Sequence, residues 1–242
     1  MIQASPRSSS KASDVLDRIR GDIVAGRLVP GEKLSMRMLK ARYASGMTPL
    51  REALCQLAGA GLVELSSHRG FCVAPVSTAE FEHIVAVRNH LELYALGLAV
   101  GRGERQWRRN LLRAAEQFGR VAARIGDQRP IDDHWDEVHR RYHFALTDAP
   151  ASHALLQLFE QLYDKFDRYR RIAVPIQAYM ALPARDHNEI TAAAIGGDAA
   201  LAQALLKRHI DDIVELVRMR LAEGLAEDIS ESRKPDDQRA AP

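Results

Sequence analysis

Apolar residues recur at helical spacing through most of this chain and alternate in only one short stretch. Val15, Leu16, Ile19, Ile23 and Val24 follow one helix face, with Ser13 as the expected N-cap and Gly26 as the stop. Pro30-Gly31 marks a turn. Ser35 then precedes a short helix with Met36, Leu39 and Tyr43 on its inner side, broken at Ser45-Gly46. Thr48 is the expected cap of the next helix, with Pro49 at its first position, Glu52 near its positive end and Leu50, Leu54 and Leu57 facing inward. Gly59 and Gly61 end it. Leu62–Leu65 and Phe71–Ala74 flank the polar tip Ser66–Gly70 and read as a β-hairpin. Two short helices, a tight break and a hairpin outline a winged helix-turn-helix over residues 13–76.

After Ser77 the period is helical throughout. The expected helices are Thr78–Arg102, Gln106–Ile125, Asp133–Thr147, Ser152–Arg171, Arg185–Ile195 and Asp198–Leu221. Glycine- and proline-bearing segments separate them, at Gly103, 126–130, 149–150, 174–183 and 196–197. Such helices bury a core only by packing together, so residues 77–221 are expected to form an antiparallel all-helical bundle. The expected fold is therefore mainly α, a winged helix-turn-helix followed by that bundle. Residues 1–12, rich in serine, read as a disordered leader, and residues 222–242 as a flexible polar tail.

Composition adds bounds. The 242 residues, 46% hydrophobic and 27% charged, suit an ordinary globular protein. No apolar run approaches the roughly 18 residues of a membrane span, and the N-terminus lacks the apolar core of a secretory signal. A cytoplasmic protein is expected. Cys55 and Cys72 form no metal or redox spacing. The net charge is only +2, but residues 1–76 carry 11 Lys/Arg against 6 Asp/Glu, a net +5, and residues 223–242 carry 3 against 6, a net −3. A basic front fits DNA binding there.

A winged helix places a helix in the major groove of double-stranded DNA. Arg37, Lys40 and Arg42 are placed to reach phosphates, and Thr48 and Arg51 to meet the groove from the start of the recognition helix. His68, Arg69 and Gly70 form a compact wing tip. The bland alternative for Arg51 is an ion pair with Glu52 or Glu32. PGEKLS, TPLREAL and RGFCVAPVS resemble the N-terminal domain of GntR-type bacterial transcription regulators, over about residues 13–76. The resemblance implies DNA contacts by Arg37, Thr48, Arg51 and the wing residues His68 to Gly70. Gly46 and Met47 depart from the residues common before the Thr-Pro pair, so the operator sequence does not carry over.

Eight of the nine histidines lie beyond Ser77. His139 and His143, four apart, share one helix face; with His187 and His209 from later helices they could surround a metal ion. Each alone has a plain alternative as a cap or a solvated side chain. VRNHLELYALGLAV, HRRYHFAL, DHNEITAAAIGGD and LLKRHI resemble the FCD effector-binding domain of the FadR branch of GntR regulators, over roughly residues 80–220. That resemblance implies a divalent ion, Zn²⁺ or Ni²⁺, held by His139, His143, His187 and His209, with His139 standing where the family commonly has Asp. Asp136 is an alternative oxygen donor. Arg88 matches the Arg of the family's R-x-x-LE pattern, which implies a clamp for a small carboxylate effector; the alternative is an ion pair with Glu92. RGF-x-VAPVS, W-x-x-x-H-x-x-x-H and DRYRR look closest to the glutarate-responsive CsiR group within the family, which implies a small dicarboxylate.

The expected function is a homodimeric, ligand-controlled transcription regulator, a repressor bound to a palindromic operator, and not an enzyme. A regulator for which the ion itself is the signal, and a metal-dependent hydrolase, are the alternatives. Against the hydrolase, no carboxylate is spaced as in the HExxH pattern.

Overall fold

The computed structural model describes residues 11–66, 70–124, 133–148, 153–174 and 186–225. The described residues divide into two compact units, one of those up to Ser77 together with Asp167–Ile172, the other of those within Thr78–Phe166 and Ala173–Glu223. That Asp167–Ile172 should group with the first unit is marked by no pattern in the sequence.

The first unit contains α1 (Lys11–Val24), α2 (Met36–Tyr43), α3 (Met47–Gly59), β1 (Val63–Ser66) and β2 (Gly70–Val73). Val15, Ile19 and Ile23 recur every four residues along α1, and Leu50, Ala53, Leu54 and Leu57 line one face of α3. These stripes close one core with Leu28, Leu34, Leu39, Tyr43, Leu62, Val63 and Val73. Full burial of each large aliphatic side chain contributes about 1.5–3 kcal/mol. Strands β1 and β2 pair antiparallel, Val63 opposite Val73 and Ser66 opposite Gly70. Unforeseen in the sequence, residues 31–34 pair along the other edge of β2: Gly31 and Leu34 donate to the Val73 and Phe71 carbonyls, and Val73 donates to the Glu32 carbonyl.

Helix starts differ from the expectation in two places. α1 includes Lys11, so Ser13 lies inside it rather than capping it. The N-cap of α3 is Gly46, with no side-chain cap bond, so Thr48 and Pro49 are its second and third residues. Proline is tolerated there because the first four N–H groups of a helix have no intrahelical acceptor. α2 begins as expected, Ser35 accepting from Met38 N at 3.2 Å. It ends on Ala44, whose left-handed φ of 50° turns the chain toward α3.

The second unit is helical among its described residues: α4 (Thr78–Arg102), α5 (Arg105–Ala122), α6 (Asp133–Thr147), the body of α7 (His153–Ala173), α8 (Asp186–Gly196) and α9 (Ala199–Arg220), with a π-helical turn at Leu221–Leu225. α5 packs on α6, α9 on both α8 and α4, and α4 on α6. The buried stripe of α4 runs Phe81, Ile84, Val85, Arg88, Glu92, Ala95, Leu96, Ala99, Val100. An arginine and a glutamate thus occupy core positions of an otherwise apolar face.

Candidate metal centre and nucleic-acid interface

The first turn of α3 is the candidate DNA-reading end. Thr48 and Arg51 are exposed there, and because Gly46 is the N-cap the Thr48 hydroxyl is not spent on capping. Arg51 makes no ion pair or hydrogen bond among the described residues; Glu32, one of its expected partners, instead accepts from Val29 N at 2.9 Å. Arg37 and Lys40 on α2 are also exposed and make no ion pair among the described residues. Arg42 is different. It pairs with Asp22 at 2.8 Å, and Asp22 also takes Arg27 at 2.6 Å and the Tyr43 hydroxyl at 2.6 Å. Burial raises the Asp22 carboxyl, but these partners outweigh it and hold it below its ordinary value. Arg42 is thus tied to α1 by an ion pair, a role the sequence did not offer for it. Beside α3 lies a groove of about 560 Å³ lined by Lys33, Ser35, Arg51, Cys55, Leu65 and Phe71. Gly70 opens β2 at its edge, whereas His68 and Arg69 lie outside the described residues.

In the second unit, α6, α8 and α9 bring four histidines together. His139 and His143 come from successive turns of α6, His187 from the first turn of α8 and His209 from the middle of α9. All four are buried, and each offers one ligand nitrogen within 4.8 Å of the others. The Nε2 atoms of His139 and His143 are 3.2 Å apart. Two nitrogens bound tetrahedrally at 2.0–2.1 Å to one ion stand about 3.3–3.4 Å apart, so this pair is already close to a ligand spacing. Both ring nitrogens of His187 are buried without a hydrogen-bond partner. Leaving a buried polar atom unsatisfied costs about 1–3 kcal/mol, and coordination removes that cost for one nitrogen. Burial and the neighbouring imidazoles push His187 well below its ordinary pKa and His209 down to about 3, so both rings are neutral and have a lone pair to donate. The residues fit a divalent ion.

Aromatic side chains fix the rings in place. Trp135 stacks on His139 with centroids 4.7 Å apart and planes 11° from parallel, and Phe118 of α5 lies 4.5 Å from His187. The Tyr142 hydroxyl donates to the His187 carbonyl at 3.0 Å. Oxygens meet the outward nitrogens of two rings, Tyr163 Oη at 3.2 Å from His139 Nδ1 and Glu92 Oε1 at 3.0 Å from His143 Nδ1, while Asp186 Oδ2 lies farther off, 3.8 Å from His209 Nδ1. Glu92 is fully buried, and its other oxygen accepts from Arg88 Nε at 2.9 Å. Burial pushes the Glu92 carboxyl up, but Arg88 and His143 draw it down to about 2. The Arg88 guanidinium lies 4.0 Å from the Phe166 ring centre.

Comparison with known proteins decides the class. Residues 11–73 match the profile of the bacterial regulatory proteins, gntR family, and residues 83–212 match the FCD domain. The chain is 33% identical over 208 residues to the HTH-type transcriptional repressor GlaR of Escherichia coli, covering 84% of this chain and 94% of that protein. The chain belongs to the GntR family of transcription regulators, in the FadR-like branch that carries an FCD domain. This GntR regulator is also 32% identical over 206 residues to the HTH-type regulator BphR of Paraburkholderia xenovorans, covering 83% of this chain and 82% of that one. Its fold resembles that of Escherichia coli McbR/YncC, with a TM-score of 0.67 at 22% identity over 90% of this chain and 98% of the other. A GntR regulator from Rhodococcus gives 0.66 at 19% identity, over 86% and 97%. The family and its relatives are DNA-binding transcription regulators, not enzymes, so the hydrolase alternative falls. No helix among the described residues is long and apolar enough to cross a membrane.

Of the expected site residues, the fold of this GntR regulator brings His139, His143, His187 and His209 into one cluster, with Arg88 joined to it through Glu92. Arg88 makes the ion pair with Glu92 that the sequence offered as its alternative role. Asp136 is not among the converging donors. His83, His90 and His134 are exposed. Sequence reasoning missed Tyr163, Asp186 and Lys33. The signal for Asp186 was present, since it directly precedes His187; Tyr163 and Lys33 reach their sites only through the tertiary fold.

Proposed function

We propose that this regulator is a homodimeric repressor working in the cytoplasm, where its DNA is, and that its helical half senses a small carboxylate at a metal site. The observation that carries the reading is the buried four-histidine cluster, one member of which has neither nitrogen satisfied. His139, His143, His187 and His209 hold the ion, and an all-imidazole set suits Zn²⁺ or Ni²⁺ better than a hard cation such as Mg²⁺. The ion supplies a Lewis-acidic position for a carboxylate. Imidazole ligands bring no negative charge to offset that of the ion, which favours an anionic ligand, and Arg88 clamps the ligand's carboxylate from α4. Two winged helices related by a two-fold axis read a palindromic operator through Thr48, Arg51, Arg37 and the wing residues His68, Arg69 and Gly70. The repressor sense rests on the named activity of GlaR.

The test is a gel-shift titration of the zinc-loaded protein on a duplex recovered from a randomised pool, against a panel of small mono- and dicarboxylates that includes glutarate. Release of the duplex by one acid, lost in His143→Ala, supports the reading. If no acid alters the affinity while a chelator alone does, the ion is itself the signal. Ligand control would be lost as an account if neither had any effect.

A further inference from the structure

Glu92 sits between the two halves of the proposed sensing site. One of its oxygens is 2.9 Å from Arg88 Nε and the other is 3.0 Å from His143 Nδ1. It is fully buried, on an α4 stripe that is apolar apart from it and Arg88. A carboxylate there is costly to bury, and the fold retains it with one cation and one ring bound to it.

We infer that Glu92 is the positioning residue that joins ion binding to anion binding: it sets which nitrogen His143 presents to the ion and which face Arg88 presents to a carboxylate ligand. The inference rests on the reading of the cluster as a metal site. By accepting a hydrogen bond from Nδ1–H, the carboxylate holds His143 in that tautomer, and Nε2, the nitrogen 3.2 Å from His139 Nε2, is left as the lone-pair donor. On the other side Glu92 takes only the Nε edge of the guanidinium. Among the described residues the two Nη atoms of Arg88 make no hydrogen bond, and that fork matches a bidentate carboxylate. Glu92 also balances the Arg88 charge, which would otherwise stand unpaired near a dication.

The test measures Zn²⁺ affinity of the full-length protein by competition with a chromophoric chelator. Glu92→Gln, which leaves all four histidines in place, is expected to weaken Zn²⁺ binding by about 10–100-fold. Arg88→Gln removes a cation and leaves the carboxylate to His143 alone, so it is expected to tighten Zn²⁺ by roughly threefold or more. A merely structural role for the pair would weaken both variants. Independently of any variant, ¹⁵N-histidine spectra of the zinc-loaded wild type are expected to show His143 protonated at Nδ1 and coordinated at Nε2. Wild-type affinity in Glu92→Gln, or the opposite His143 tautomer, overturns the inference alone. A wild type that binds no Zn²⁺ overturns it together with the metal site.

Discussion

Thr48 stands at the second position of α3 rather than at its cap, so its hydroxyl is free for DNA. A capping threonine would cost about 1 kcal/mol of stability when removed. Thr48→Val is instead expected to change thermal stability by less than about 0.5 kcal/mol while weakening operator binding by about 1 kcal/mol, measured by melting and by fluorescence anisotropy on one preparation. Arg51→Ala is expected to cost about 1–3 kcal/mol on the selected duplex and to relax its sequence preference. Asp22 makes the opposite point. Its lowered carboxyl contributes stability that is present above its unfolded value, near 3.9, and is lost as pH falls through the folded value. Asp22→Asn is expected to destabilise the first unit by about 1–3 kcal/mol at pH 7, with the difference from wild type shrinking below pH 4 in denaturant titrations. The sequence showed Arg42 as one more cation on α2. That its partner lies 20 residues back, on α1, is a tertiary fact that no local pattern carries.

Among elements, legibility followed the strength of the local signal. Thr78–Arg102 and Asp133–Thr147 form the helices their apolar spacing predicts, because a long stripe and clear breaks agree. The start of α3 was misplaced by two residues because Thr-Pro is a strong cap signal, yet Gly46 reaches the extended conformation of an N-cap as readily. The pairing of residues 31–34 with β2 is not visible in the sequence, since four residues are too few to show alternation. The break after α2 was visible, but the strained residue was not: Ala44, not Ser45 or Gly46, takes the left-handed conformation. A side chain there costs about 1–2 kcal/mol, partly offset by the greater freedom of glycine in the unfolded chain. Ala44→Gly is therefore expected to raise stability by roughly 0.5–1 kcal/mol, read as a shift in the denaturant midpoint at constant slope. The histidine cluster was legible for a related reason. Spacing of four put His139 and His143 on one face, but only the packing of α8 and α9 decides that His187 and His209 meet them.

At the scale of the molecule, the proposed two-fold axis fixes what the operator must look like. Sedimentation is expected to give a dimer, and selected duplexes are expected to carry inverted half-sites whose spacing stays fixed, since an insertion of about 5 base pairs would rotate one half-site to the far side of the duplex. The unsatisfied nitrogens of His187, the buried Arg88–Glu92 pair and the three other imidazoles have a further consequence. A core that sets aside space for polar groups opens more often than one filled with leucine. On the proposed metal reading, an ion at a hundred times its Kd deepens the folded state by about 2.7 kcal/mol, which cuts the opened fraction roughly a hundredfold. Cleavage by a protease acting on opened molecules should slow by a similar factor when Zn²⁺ is present. In a cell, the copy number of this repressor would then track ion supply, because molecules without the ion would be degraded before they could reach an operator.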